Sequence, residues 1–352
     1  MTDLLPFLKQ LITVPGLSGY ESPVRDLIED AWRPLTDKIH ISRLGSLHAL
    51  RRGAGPEPRP GLLIAAHMDA IGLMVSGLVD EFLHITAIGG LDSRVLPGQL
   101  VTVHGRQDLP GVIVQPPANL LPEEAGSSQM STEFMLVDVG LLPDEVERLV
   151  RLGDLVSFAQ PPLELSEEYL AGHSLDNRAS VAALTICLQM LQNRQTFWDI
   201  WMVATTQEEE SLAGALTSAF EIRPAAAVAI DVTFADGPGT PDHLAFPLGK
   251  GPTLSWGPNI HPGLHAAFKD LADRLEMPYK LEPVPSDSGT DAAALQIAAE
   301  GIPTMLIEIP LRYMHTPVEM ISLKDITRTG RLLAEFAAEL DSDFLAKLSW
   351  DN

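Results

Sequence analysis

The chain has 352 residues, 45% of them hydrophobic, and its 47 acidic and 24 basic residues give a formal net charge of −23. This length predicts two domains, and the hydrophobic share is typical of a globular protein and not of a disordered one. The negative charge argues against binding to nucleic acid or to an anionic membrane, because both require a cationic surface.

The lone cysteine and the N-terminus predict a cytoplasmic protein. Cys187 is the only cysteine, so an intrachain disulfide is impossible, and its apolar helical surroundings predict buried packing in a reducing compartment. The first residues have neither a basic segment nor a cleavage-site pattern, so no signal peptide is expected. Residues 62–79 are apolar enough to resemble a membrane span, but they contain His67 and Asp69, which are costly inside a bilayer.

The chain begins with two predicted helices followed by a strand. Apolar residues recur at helical spacing near the start, namely Leu4, Leu5, Leu8, Leu11 and Ile12. Residues 15–19 form a predicted turn, and a second helix starts near Glu21. The polar residues 51–56 predict a hairpin or loop, and residues 62–66 then form a buried strand.

Between about Gly72 and Pro162 the pattern changes to short strands separated by Gly and Pro. The predicted strands include residues 82–88, 100–104, 112–114 and 135–139. Helical periodicity is scarce in this part of the chain. Residues 72–162 are therefore expected to form a small β-rich domain, a barrel or a sandwich, inserted into the rest of the protein.

After Pro162 strands and helices alternate again. Helices are predicted at residues 176–191, 262–275, 291–300 and 324–340. This alternation indicates an α/β fold with a mainly parallel sheet flanked by helices on both faces. Residues 1–71 and 163–352 are expected to form this larger domain together.

Four predicted buried strands each lead to potential metal-binding side chains. The segment 62–66 precedes His67, residues 200–204 precede Glu208 and Glu209, residues 227–230 end on Asp231, and residues 305–309 lead towards His315. In open α/β sheets, ligands bind outside the carboxyl ends of the strands. Two histidines and several carboxylates at one such edge predict a metal centre.

Each of these residues has a simpler explanation when taken alone. His67 could be a satisfied structural histidine, although Asp69, two residues later, could accept a hydrogen bond from the ring nitrogen that does not bind metal. Asp176 could merely cap a helix, and the run Gln207 to Glu210 could be a solvated face. Adjacent glutamates at a turn can also divide two tasks, one binding metal and the other accepting a proton from water. The convergence of all these residues on one sheet edge favours the metal centre.

Seven segments, in order along the whole chain, resemble the M42 family of metallo-aminopeptidases, part of the wider di-metal clan that includes the M28 and M20 peptidases. The matching segments are residues 14–21, 66–72, 175–178, 207–209, 230–232, 289–292 and 310–319. Taken together, the seven segments are highly specific for this family.

The resemblance implies a role for each residue of the site. His67 and Asp231 match the terminal ligands of one metal, Glu209 and His315 match those of a second metal, and Asp176 matches the residue that bridges both. Glu208 matches the general base, and Asp69 matches the acid that supports His67. Two divalent ions per subunit are expected, zinc first, with cobalt or manganese able to substitute.

The resemblance also implies partners and an assembly. The substrates are expected to be short peptides, hydrolysed at their N-terminal bond by a metal-activated water. The inserted β-rich unit corresponds to the family's dimerisation domain, and dimers are expected to assemble into a dodecamer.

Four positions depart from the family pattern. Ala70 replaces a Glu, Ala118 replaces a His that follows Pro116 and Pro117, Ser211 replaces a Gly, and Ala213 replaces an Arg. None of them matches a metal ligand or the base. Catalysis is therefore expected to be intact, with the differences affecting substrate preference and assembly.

Two alternative functions belong to other classes. Paired carboxylates also serve glycosidases that need no metal, but that reading leaves His67, Asp231 and His315 without a role. A non-catalytic scaffold relative is the other alternative, and the complete ligand set together with Glu208 argues against it.

Overall fold

The computed structural model describes residues 3–117, 132–241 and 245–349. Ala118, one of the four departures from the family pattern, lies outside the described residues. Nine α-helices occur in the described parts of the chain: α1 Leu4–Thr13, α2 Ser22–Trp32, α3 Pro143–Leu149, α4 Leu175–Leu191, α5 Glu208–Ser211, α6 Ala213–Ile222, α7 Pro262–Arg274, α8 Asp291–Ile297 and α9 Leu323–Glu339.

In the described parts of the chain, eleven strands form one large sheet. They are β1 Lys38–Ile41, β2 Leu47–Arg51, β3 Gly61–His67, β10 Leu163–Leu165, β11 Tyr169–Gly172, β12 Asp199–Thr205, β13 Ala226–Phe234, β14 Thr253–Trp256, β15 Lys280–Pro283, β16 Thr304–Arg312 and β17 Glu319–Ser322. The four central strands, in the order β12, β3, β13 and β16, are parallel, and antiparallel strands continue the sheet on both sides.

The central strands are buried on both faces, which explains their nearly continuous apolar sequences. All residues of β3 after Gly61 are buried, as are the first eight residues of β13. Helices α4 and α9 pack against each other and against this sheet, while α6 and α8 form a second packed pair against it. The prediction of an α/β fold with helices flanking a sheet whose centre is parallel is confirmed.

The remaining six strands close into a barrel. They are β4 Gly72–Val79, β5 Phe82–Ile88, β6 Leu100–His104, β7 Asp108–Val114, β8 Leu136–Asp138 and β9 Leu155–Phe158. The order around the barrel is β4, β5, β8, β7, β6, β9, and β9 pairs with β4. Alternate residues such as Leu73 and Val75 point inward and form a hydrophobic core separate from that of the large sheet.

Several boundaries differ from the sequence-based expectation, among them the ends of β13 and α8. Strand β13 does not end at Asp231 but continues to Phe234, because its hydrogen-bonded register with β16 runs on as far as Leu311. Helix α8 ends at Ile297 and not at residue 300, since Ala298 is extended and Ala299 has a φ of 52°. Helix α3, within the barrel region, has no counterpart among the predicted helices.

Among the described residues, no helix combines the length and the apolar character needed to cross a lipid bilayer.

Candidate metal centre

The predicted site residues meet at the carboxyl ends of the central strands. His67 is the last residue of β3, and Asp231 lies near the end of the neighbouring β13. Glu208 and Glu209 begin α5, three residues after β12, and His315 lies three residues after β16. Because these strands are parallel neighbours, segments far apart in sequence reach one edge of the sheet.

His67 is buried and surrounded by carboxylates. Its Nε2 atom lies 3.2 Å from Asp176 Oδ1, 3.6 Å from Glu208 Oε2 and 3.8 Å from Asp231 Oδ1. Its other ring nitrogen, Nδ1, lies 3.2 Å from the backbone oxygen of Asp69 and 3.5 Å from Asp69 Oδ1. The ring is therefore oriented with Nε2 towards the carboxylate cluster.

Asp176 lies between the two histidines. Its Oδ1 atom faces His67, whereas Oδ2 lies 3.4 Å from His315 Nε2. The same His315 nitrogen is 3.6 Å from Glu209 Oε2. Asp176 is the second residue of α4 but has the non-helical angles φ −74° and ψ 107°, so the backbone departs from the helix at this position.

The donor set fits divalent metal ions. Donor atoms held about 2.0–2.1 Å from a tetrahedral zinc ion are about 3.3 Å from one another, close to the separations around Asp176. Potential donor atoms lie within 4.8 Å of one another in two groups that share His67, one with Asp176 and Glu209 and the other with Glu208 and Asp231. Imidazole nitrogens and carboxylate oxygens are a donor set that suits zinc, and the side chains present here fit such an ion.

Asp69 connects the histidine to the glutamate pair. Its side chain is fully buried, and its two oxygens accept hydrogen bonds from the backbone N–H groups of Glu208 and Glu209 at 3.0 and 3.1 Å. Asp69 thereby fixes the turn that carries both glutamates against the end of β3.

Burial and mutual repulsion raise the pKa of several carboxyl groups in the cluster. Burial first, and then the charges of Asp231, Asp291 and Asp176, raise the pKa of Glu208 to about 9, although His67 opposes this. Burial and Asp176 likewise raise the pKa of Asp231 to about 8. A divalent cation would relieve this repulsion and favour the ionised carboxylates.

The pKa values of His67 and Asp176 shift in the directions that favour the charged form of each side chain. Burial lowers the pKa of His67, but Glu208 and the neighbouring aspartates outweigh burial and raise it well above its usual value. Burial raises the pKa of Asp176, but hydrogen bonds from His315 and His67 hold it below its ordinary range.

Three further residues support the site and were not singled out from the sequence. Glu319 is buried, and its carboxylate accepts hydrogen bonds from the backbone N–H groups of Asp176 at 3.1 Å and His315 at 3.0 Å. Asp291 accepts a hydrogen bond from Thr205, the register partner of His67. Arg178 is buried two residues after Asp176. Two of these residues could have been found from the sequence, because Asp291 and Glu319 are acidic and lie within the matching segments 289–292 and 310–319.

The departures from the family pattern lie beside the site. Ala70 is buried, and its backbone exchanges hydrogen bonds with Gly16 and Ser18. Ser211 lines the cavity described next, and Ala213 begins α6. None of the three has its side chain among the candidate donors.

A cavity of about 820 Å³ opens over the cluster. His67, Asp176, Glu208, Glu209, Asp231 and His315 all contribute to its wall. The cavity extends beyond them to Phe234, Met314, Glu282, Glu308 and the loop 283–290. It is large enough to hold more than the reacting bond of a small substrate.

The sheet is parallel at its centre. One buried histidine, one partly exposed histidine and several carboxylates lie at its carboxyl edge beneath a substrate-sized cavity, which is typical of a hydrolytic enzyme with candidate metal-binding groups. A family model described as M42 glutamyl aminopeptidase matches residues 45–332, and the chain belongs to this family. The predicted family and the prediction of an aminopeptidase are thereby confirmed.

Individual relatives match this chain over nearly its full length. The chain is 35% identical to the lysyl aminopeptidase of Pyrococcus furiosus over 339 residues, covering 95% of this chain and 96% of the relative. An aminopeptidase structure from Desulfurococcus kamchatkensis matches with a TM-score of 0.90 and 32% identity, covering 98% of this chain and 97% of that one. The TET1 peptidase of Pyrococcus horikoshii, described as assembling into a tetrahedron or a large octahedral shell, matches with a TM-score of 0.84 and 28% identity over 96% of this chain and all of that one.

Proposed function

We propose that this enzyme removes N-terminal residues from short peptides and depends on two divalent ions per subunit. The observation that carries the proposal is the position of Asp176, whose two oxygens face two different histidines at 3.2 and 3.4 Å. One carboxylate that faces two separate nitrogen donors suits a pair of adjacent ions.

Five residues would hold the ions. His67 and Asp231 would hold one ion, Glu209 and His315 would hold the other, and Asp176 would contribute to both. Ions bound there would supply a Lewis acid for the peptide carbonyl and lower the pKa of water. Zinc suits this donor set best, and cobalt or manganese can substitute.

Glu208 is the general base. Its carboxylate lines the cavity beside the ligands, with Oε2 3.6 Å from His67 Nε2. It accepts a proton from the attacking water as the C–O bond forms. It then donates that proton to the amine nitrogen when the peptide bond breaks.

Asp69 acts through its neighbours. It contacts the Nδ1 side of the His67 ring and fixes the backbone of Glu208 and Glu209. The carboxylate thereby keeps a ligand and the base at a constant separation while the proton moves.

The barrel and the remainder of the chain have separate roles in this proposal. Residues 1–71 and 163–352 form the catalytic domain, and residues 72–162 form a dimerisation domain. Dimers then assemble into a dodecamer, and the tetrahedron described for the Pyrococcus horikoshii relative supports a closed assembly of this kind. A cytoplasmic location fits the single buried Cys187.

The test is removal and return of metal. Protein depleted with a chelator should lose cleavage of aminoacyl anilides and recover it with zinc, cobalt or manganese, while N-acetylated peptides stay uncleaved throughout. Retained hydrolysis of the anilides after complete metal removal would contradict the proposed metal dependence and favour a peptidase mechanism that needs no metal. Sedimentation velocity on the same preparation tests the assembly, and a monomer at micromolar concentration would contradict it.

A further inference from the structure

The proposed mechanism leaves two carboxyl groups of the cavity without a role. Glu308 on β16 and Glu282 on β15 both line the cavity, and they lie on the two strands that pair with β14. Glu308 is buried, with 6% of its surface exposed, and Glu282 is half-buried. Neither residue is among the proposed metal ligands.

Hydroxyl groups hold this carboxyl pair in place. Thr233 and Thr253 donate to the two oxygens of Glu282 at 2.7 and 2.6 Å. Ser255 donates to Glu308 Oε2 at 2.8 Å. Three hydroxyl groups orient the pair but supply no positive charge.

No cation balances the pair in the described part of the chain. Neither glutamate forms a salt bridge there, and the described cavity wall contains no Lys or Arg. Two carboxylates close together and away from bulk water are unfavourable unless a cation or a proton lies between them. A nearly buried carboxyl that lines a substrate cavity without a cationic side-chain partner can gain that partner from a ligand.

The distance between the carboxyl pair and the metal centre matches the length of one substrate side chain. Glu308 is the register partner of Asp231 on the adjacent parallel strand, where neighbouring strands are about 4.8 Å apart. Thr233, which binds Glu282, lies two residues after Asp231 and therefore on the same face of β13. The ammonium group of a lysine reaches about 6 Å from its α-carbon, so it can meet the pair from a scissile bond held at the metal centre.

We propose that Glu282 and Glu308 form the pocket for the side chain of the first substrate residue and select lysine or arginine there. The inference rests on the proposed aminopeptidase function and adds the chemical class of the residue removed. The pair gives charge-assisted hydrogen bonds to an ammonium or guanidinium group and leaves buried carboxylates unpaired when an apolar side chain enters.

The decisive comparison is lysine against norleucine, which has nearly the same shape without the charge. The metal-loaded enzyme should cleave lysyl anilide with a kcat/KM at least about 10-fold above that of norleucyl anilide. Glu308→Gln should lower the lysyl value by about 10- to 100-fold and leave the norleucyl value essentially unchanged. Glu282→Gln, at a less buried position, should shift selectivity in the same direction and guards against misfolding of the first variant.

Asp287→Asn provides the matched control. Asp287 also lines the cavity but is exposed, and its carboxylate bonds only within its own loop, to the N–H of Gly289. Its replacement should leave the lysine-to-norleucine ratio unchanged. If Asp287→Asn reduces the ratio as much as Glu308→Gln does, the selectivity comes from the overall negative field and the proposed pocket is wrong.

A binding measurement separates this inference from the proposed function. Titration calorimetry of metal-loaded protein should give tighter binding of free L-lysine than of L-norleucine, and Glu308→Gln should abolish the difference. Equal affinities, or equal loss of both substrates in Glu308→Gln, would overturn the pocket while leaving the aminopeptidase intact. Loss of a bound metal ion only in Glu308→Gln would also overturn the proposed pocket. If the protein cleaves none of the substrates but still binds free lysine more tightly than norleucine, the proposed function is contradicted and the pocket is not.

Discussion

Glu319 illustrates how much of the candidate site depends on a residue that does not face the cavity. One oxygen accepts the N–H of Asp176 and the other accepts the N–H of His315, which are two proposed metal ligands from distant parts of the chain. Residues that orient ligands in this way commonly change metal affinity by about 10- to 100-fold when replaced.

Glu319→Gln should therefore weaken binding of the more weakly held ion by about 10- to 100-fold while the fold is retained. The amide nitrogen of Gln cannot accept a backbone N–H, so one of the two hydrogen bonds is lost. Competition with a chromogenic chelator gives the affinities, and circular dichroism reports the fold. Glu300→Gln, at an exposed position, is the control. Unchanged affinities in Glu319→Gln would show that Glu319 has no positioning role.

The raised pKa values in the cluster predict how the metal-free protein responds to pH. Glu208 and Asp231 titrate at about 9 and 8 in the folded chain, against about 4 when unfolded. Between these limits the folded state binds more protons than the unfolded state, so the free energy of unfolding falls as pH rises. The raised pKa of His67 acts in the same direction.

Metal-free protein should consequently unfold at a lower temperature near pH 8 than near pH 5.5, and added zinc should stabilise it more at the higher pH. Scanning calorimetry at the two pH values, with and without zinc, measures both effects. The double variant Glu208→Gln, Asp231→Asn should flatten the dependence. A metal-free protein that is more stable at pH 8 would contradict the assigned directions.

At the scale of elements, Arg178 connects the start of α4 to three other segments. Its guanidinium donates to the backbone oxygens of Met68 at 3.1 Å and Gly16 at 3.0 Å. It also donates to Leu11 and Val14, both at 2.5 Å. The end of α1, the following loop and the end of β3 are thus attached to the helix that carries Asp176.

Arg178→Met should lower the free energy of unfolding by at least about 3 kcal/mol, because it leaves several buried carbonyl oxygens without a donor. Urea unfolding of metal-free protein provides the measurement, and Arg331→Met on the exposed side of α9 is the control. A loss below about 1 kcal/mol would mean that water or neighbouring groups replace the guanidinium.

Elements with strong periodicity were predictable, whereas features set by distant partners were not. The buried run 62–66 and the helical residues 176–191 correspond closely to β3 and α4. The continuation of β13 past Asp231 depends on pairing with β16, more than 70 positions away along the chain in the register Asp231 to Glu308. Local pattern contains no information about such pairing.

The same contrast applies to the site. Ligands that follow apolar strands, such as His67 and His315, could be proposed from one sequence because parallel strands end at one edge. The supporting hydrogen bonds of Glu319 and Arg178 could not be predicted, since their partners are fixed only when α4 packs on the sheet. Glu308 is hidden within an apolar strand, and its position beside Glu282 emerges only from the pairing of β14 with β15 and β16.

At the scale of the whole molecule, the sheet and the barrel have separate hydrophobic cores. The proposed chemistry lies entirely in side chains from the large sheet and its helices, while the barrel closes through β4 and β9 without supplying a candidate donor. This separation agrees with the assembly role proposed for the barrel, although Gly90, which follows β5, lines the cavity.

The count of ions needed for activity tests the central proposal most directly. Metal-free protein should regain turnover as zinc is added, reaching full activity only at two ions per chain by elemental analysis. Glu208→Gln should bind the same two ions and remain inactive, and Asp176→Asn should lose both binding and activity. Full activity at one ion per chain, or unchanged turnover in Glu208→Gln, would contradict the two-metal account.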